Sequence, residues 1–128
     1  MLQVARLAPR PLGDSADLVR DFLLSQLNPD GGFRDRAGRS DLYYTVFGLD
    51  GLLALRADLP ADRVAAFLRS HGDGAGLDFV HLACLARCWA ALPPGHRSEM
   101  PADALVARAE AFRAADGAYS TEPGLDEG

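Results

Sequence analysis

Asn28-Pro29-Asp30-Gly31-Gly32-Phe33-Arg34-Asp35-Arg36-Ala37-Gly38-Arg39-Ser40-Asp41-Leu42-Tyr43-Tyr44-Thr45-Val46-Phe47 is the stretch from which the rest of the chain can be read. A Gly-Gly pair after Asn-Pro-Asp stops one helix, and Ser40 or Asp41 is placed to cap the next by accepting a bond from a free backbone N–H. A helix-turn-helix corner is therefore expected. Its echoes, Asp73-Gly74-Ala75-Gly76 and Asp116-Gly117-Ala118-Tyr119, return at even intervals of 43 residues. A fixed period in that range marks stacked helical pairs, each too thin to bury its own apolar face.

The alternation of helices on either side of the corner carries the architecture. Leu18, Phe22 and Leu23 share a face of a first helix over about 14–27. The second, about 41–57, is apolar around much of its girth, with Leu42, Tyr43, Val46, Phe47, Leu49, Leu52, Leu53 and Leu55. Pro60 opens a third whose stripe is only Val64, Phe67 and Leu68. The fourth, about 77–92, is again mostly apolar and stops at Pro93-Pro94-Gly95. Pro101 opens the fifth, striped by Leu105, Val106, Ala109 and Phe112. Helices wet on one side thus take turns with helices enclosed on nearly all sides, as an outer and an inner ring require. The expected fold is all-α, a partial α/α toroid: an open arc of about two and a half helical hairpins. Residues 1–13 read as an extended lead-in and 14–128 as the repeat domain, whose third pair is left unfinished after Tyr119.

Composition narrows the partners. A net charge of −5 on 128 residues offers no basic stripe for nucleic acid or a membrane surface. No run reaches the roughly 18 apolar residues of a spanning helix, and the N-terminus lacks a signal-peptide pattern. Cytoplasmic residence is the expectation. The two cysteines, Cys84 and Cys88, lie four apart on one helix and read as reduced, buried thiols.

Phe22-Leu23-x-x-Gln26 leading into Asp30-Gly31-Gly32-Phe33, then Gly38 to Thr45 and a Leu-rich helix, resembles the repeat shared by protein prenyltransferase β subunits and squalene-type terpenoid cyclases. Weaker copies at Phe67-Leu68 to Gly76 and at Phe112 to Tyr119 carry the likeness along most of the chain. The resemblance implies a toroid whose cavity, walled by aromatics, holds an isoprenoid chain. It also implies that Arg36 and Arg39, with Tyr44 on the next helix, bind the diphosphate when one residue is deleted between Ser40 and Asp41. Guanidinium forks suit phosphate oxygens, and the first turn of the second helix points its N–H groups the same way. The plain alternative is a solvated loop in which Asp35 and Asp41 balance Arg34, Arg36 and Arg39.

The family's reaction centres are not matched. Its zinc site uses Asp-x-Cys and a histidine; Asp41 fits, but Tyr43 and Tyr44 stand where cysteine or histidine is needed, and phenols are poor zinc ligands. No bound cofactor is expected, and neither zinc nor magnesium finds its ligands here. The cyclases' Asp-x-Asp-Asp acid is also absent.

Two further constellations have double readings. Asp78, His81, Cys84 and Cys88 lie along one face of the fourth helix, either a soft-metal face or core packing around a hydrogen-bonded histidine. Tyr43, Phe47, Phe79 and Trp89 are either an isoprenoid wall or core filling. Two function classes follow: a prenyltransferase-like or terpenoid-cyclase-like protein that binds an isoprenoid diphosphate, or a non-catalytic helical repeat module. In either, a second copy or a partner subunit completes the ring.

Overall fold

Asp41 and Asp78 start the two apolar helices in the same way. Each side chain turns back on extended backbone to accept the N–H three residues on, from Tyr44 at 3.0 Å and from His81 at 2.8 Å. The structure is a computed structural model and describes residues 9–116. Its helices are α1 (Pro9–Ser25), α2 (Leu42–Ala54), α3 (Ala61–Arg69), α4 (Phe79–Ala91), α5 (Pro94–Arg97) and α6 (Ala102–Asp116). No strand is present among the described residues; two isolated antiparallel bridges, Leu27 to Phe33 and Arg34 to Ser40, pin the glycine corner. The fold is all-α, as expected.

α1 begins at Pro9, five residues ahead of the expected start, so residues 9–13 are helical where an extended lead-in was expected. Pro9 and Pro11 fall in the first turn, where an N–H has no intrahelical acceptor, so neither ring costs a hydrogen bond. The short α5 was not foreseen: Pro93-Pro94-Gly95 ends α4, yet Pro94 is also a good first residue for one more turn. The expected third inner helix and the Gly117-Ala118-Tyr119 copy of the corner lie outside the described residues.

α2 and α4 pack side by side as the central pair. α1 lies against α2, while α3, α5 and α6 lie against α4. The core runs between them through Leu42, Leu49, Leu52, Val64, Leu68, Leu82, Leu85 and Trp89, all close to fully buried. Each such aliphatic side chain contributes about 1.5–3 kcal/mol of apolar burial. The two apolar helices are nevertheless not enclosed all round. Tyr43 is 46% exposed and Phe47 55%, with Leu53 and Val80 also open to solvent. The outer face of α1 is bare as well: Leu18 is 70% and Phe22 61% exposed, so the stripe expected to be buried is covered only at Leu23 and at Leu27 beyond the helix.

Glycine at the corner serves close approach. A Cβ on Gly31, whose φ is +95°, would overlap the Arg63 carbonyl of α3, and one on Gly48 would overlap the Phe33 ring. The corner therefore docks on α3 through its backbone, helped by Arg63 donating to the Asn28 carbonyl at 3.1 Å. Asn28 also ties the loop shut, donating to the Gly38 carbonyl and to Ser40 Oγ, and Ser40 in turn donates to Asp30. Asp41, not Ser40, is thus the cap.

The second glycine turn is tied to α6 by charge. Arg108 donates to Asp73 at 2.9 Å and holds the Asp73 carboxyl below its ordinary range, as Arg69 does for Glu99. Groups whose folded pKa is depressed contribute stability above their unfolded pKa and lose it as pH falls through the folded one. Thermal unfolding is therefore expected to be flat in this respect above about pH 5 and to drop below about pH 4. The drop should be smaller in Asp73→Asn, followed by circular dichroism melting; an identical drop in that variant would remove Asp73 from the effect.

Candidate functional site

Thr45 sets the floor of the one cleft that holds several of the sequence-predicted residues. Fully buried, its hydroxyl donates to the Asp41 carbonyl at 2.7 Å and accepts the Phe33 N–H at 3.0 Å. This fixes the Phe33 ring over Gly48, where the missing side chain makes room for it. The next residue is held too, because the Arg34 N–H donates to the Gln26 carbonyl at 2.9 Å. The strip from Phe33 to Arg36 is thereby laid along the end of α1 and beside the first turns of α2.

Between them opens a cleft of about 240 Å³. Its apolar walls are Phe22 and Leu23 from α1, Phe33 from the corner, and Tyr44, Phe47 and Gly48 from α2; Gln26, Arg34, Asp35 and Arg36 edge it. Arg36, Tyr44 and Phe47 of the predicted set are brought together here. Arg39 is not. Its N–H and carbonyl are taken by Asp35, and its side chain is exposed away from the cleft. Those N–H bonds, from Arg39 foremost and then from Ala37, hold the Asp35 carboxyl below its usual value. Arg34 takes the place expected of Arg39.

None of Arg34, Arg36 and Arg39 makes an ion pair among the described residues. Asp35 edges the same cleft and its carboxylate feels the Arg39 charge, so the mouth carries the Arg34 and Arg36 guanidinium groups against one carboxylate. The start of α2, by contrast, is no open anion site: the Asp41 carboxylate already caps it and faces His81 Nε2 at 3.6 Å.

The other aromatics are dispersed. Tyr43 stands on the exposed side of α2, edge-on to Phe47 at 4.8 Å and to Tyr44 at 6.0 Å between centroids. Phe79 edges a second, wholly apolar groove of about 350 Å³ between α4 and α6, with its ring against Phe112. Trp89, 1% exposed, is core. Of the four residues expected to form one wall, Tyr43 and Phe47 stay together on α2 while Phe79 and Trp89 lie elsewhere, because helical spacing groups residues on one helix and leaves open how neighbouring helices are rotated.

The polar face of α4 divides in the same manner. His81 Nδ1 lies 2.9 Å from Asp78 Oδ1 at the helix start, while Cys84 and Cys88 turn into the core as free thiols, Cys88 Sγ 3.8 Å from the Leu42 carbonyl. Burial pushes both thiols up, away from the thiolate a metal needs. Among the described residues no group of three or more His, Cys, Asp or Glu side chains is placed to hold a metal ion. The donors fit neither the prenyltransferase zinc set nor a soft-metal face. Also among the described residues, no helix is long and apolar enough to cross a membrane.

Sequence reading passed over Arg34, Phe22, Leu23 and Phe33 as site residues. Arg34 directly follows Phe33 in the bridged strip, whereas Arg36 opens the turn closed by the Gly38 N–H on the Asp35 carbonyl and Arg39 lies beyond it, an arrangement that residue spacing alone does not give. No family model, no curated protein and no solved structure matches the chain.

Proposed function

We propose that this chain binds an isoprenoid diphosphate, its tail between α1 and α2 and its head group at the arginines of the glycine corner. One observation supports the reading: the Arg34 and Arg36 guanidinium groups, in no ion pair among the described residues, edge with Asp35 and Gln26 a cleft whose walls are apolar and aromatic, an arrangement suited to an amphiphile with an anionic end. In this reading the helical hairpins form an arc of an α/α toroid, α2 and α4 on its inner side, and the exposed Tyr43 and Phe47 face the ring interior. The activity in this reading is binding without zinc-dependent chemistry, since no group of three or more His, Cys, Asp or Glu side chains gathers among the described residues. The cytoplasm is the proposed compartment, in keeping with two free buried thiols.

Titration of the whole chain with geranyl, farnesyl and geranylgeranyl diphosphates, against inorganic pyrophosphate, tests the idea. Arg36→Ala is expected to weaken prenyl diphosphate binding about tenfold, the worth of a charge-assisted hydrogen bond. Phe47→Glu is expected to abolish tail recognition at little cost to folding, because that side chain is more than half exposed. Equal affinity for pyrophosphate and its prenyl esters would overturn the tail, and no binding of any would overturn the site.

A second reading rests on the groove between α4 and α6, lined by Leu82, Ala83, Ala86, Leu105, Val106 and Ala109 around Phe79. An apolar groove of that size favours a repeat module that packs against another helix, from a second copy or a partner subunit. A solution mass that rises with concentration supports it.

A further inference from the structure

Arg34 Nε is shut off from solvent and has no hydrogen-bond partner among the described residues, although the side chain borders the cleft. That nitrogen faces the protein, so a ligand in the cleft meets the outer Nη groups of a guanidinium that cannot shed its charge. The backbone holds this residue on both sides: its N–H bonds to the Gln26 carbonyl, and the bridge to Ser40 fixes the strip. The backbone of Arg34 is therefore fixed before any ligand arrives, which limits the ordering that binding must impose. Arg36, two residues on, is exposed at the mouth.

From this difference in depth we infer that Arg34 grips the phosphate nearest the apolar tail and Arg36 the terminal phosphate, while Arg39 touches neither. The assignment rests on the cleft reading above and adds a division of labour to it. The Nη groups of Arg34 meet the inner phosphate beside Phe33 and Leu23, where less water competes than at the mouth. The outer arginine works in solvent and meets only a ligand long enough to reach it. A prenyl monophosphate then uses Arg34 alone, and a prenyl diphosphate uses both.

Isothermal titration of the full chain with geranyl monophosphate and with geranyl diphosphate separates the two roles. Arg34→Gln is expected to lower affinity for both ligands roughly tenfold, and Arg36→Gln to lower the diphosphate roughly tenfold while leaving the monophosphate within about twofold. Arg39→Gln leaves both within about twofold. Arg34→Lys keeps the charge, loses the two-nitrogen edge, and is expected to recover only part of the loss. Melting curves matching wild type establish that these variants fold, and the lysine variant supplies the comparison if the glutamine variant does not. Normal binding of both ligands by Arg34→Gln, or by Arg34→Lys where only that variant folds, overturns the assignment if Arg36→Gln is impaired, and the cleft stands. Failure of the wild-type chain to bind either ligand overturns the cleft reading and this inference together.

Discussion

Gly31→Ala is expected to destabilise the fold by roughly 3 kcal/mol or more, through backbone strain and overpacking together. The residue sits at a φ of +95°, which an L side chain rarely adopts, and its added methyl would run into the Arg63 carbonyl and the start of the Val64 peptide. Helix backbone cannot give way as a flexible side-chain end can, so the corner must lift off α3. That would also break the Arg63 bond to the Asn28 carbonyl and unseat the strip that positions Arg34. Gly38→Ala isolates the backbone term: φ is +88°, but nothing lies within 4 Å of the added carbon, so a cost of about 1–2 kcal/mol is expected. Urea midpoints at constant m would measure both. Equal losses for the two variants would show that close approach to α3 is not what glycine provides at position 31.

Trp89→Ala is expected to cost about 3–5 kcal/mol, the range for emptying an aromatic site in a packed core. Trp89 is among the largest fully buried side chains and lies on α4, the helix that α2, α3, α5 and α6 all pack against. Its indole N–H is buried without an acceptor among the described residues, so part of its contribution is already offset. Trp89→Phe, which removes that donor with a smaller loss of volume, is therefore expected to lose much less than the alanine variant. Chemical denaturation of the pair decides it, and similar losses would mean that the indole N–H is satisfied after all.

Each success and failure of the sequence reading has a local cause. The caps at Asp41 and Asp78, the stops at Gly31-Gly32 and Pro93-Pro94, and the alternation of apolar with amphipathic helices depend on neighbours within a few residues, and all of these are visible in the structure. Leu18 and Phe22 do share a face, as their spacing requires, but nothing among the described residues covers it. Trp89 and Phe47 looked alike on paper; one is enclosed by α4's neighbours and the other borders the cleft. The site was legible in its residue types and less so in its membership. Arg36 and Tyr44 meet, while Arg34 displaces Arg39 because Asp35 bonds across the Gly38 turn and folds Arg39 away.

The amino-acid order alone therefore determined the caps of α2 and α4 and the order of the helices other than α5, that helices alternate in character, and that arginines cluster after a glycine corner. Tertiary structure decided which faces are covered and which arginine meets the cleft. Periodicity and capping act within one element, but coverage depends on groups brought from elsewhere: the Arg63 carbonyl under Gly31, the Thr45 hydroxyl under Phe33, and the Gln26 carbonyl beside Arg34.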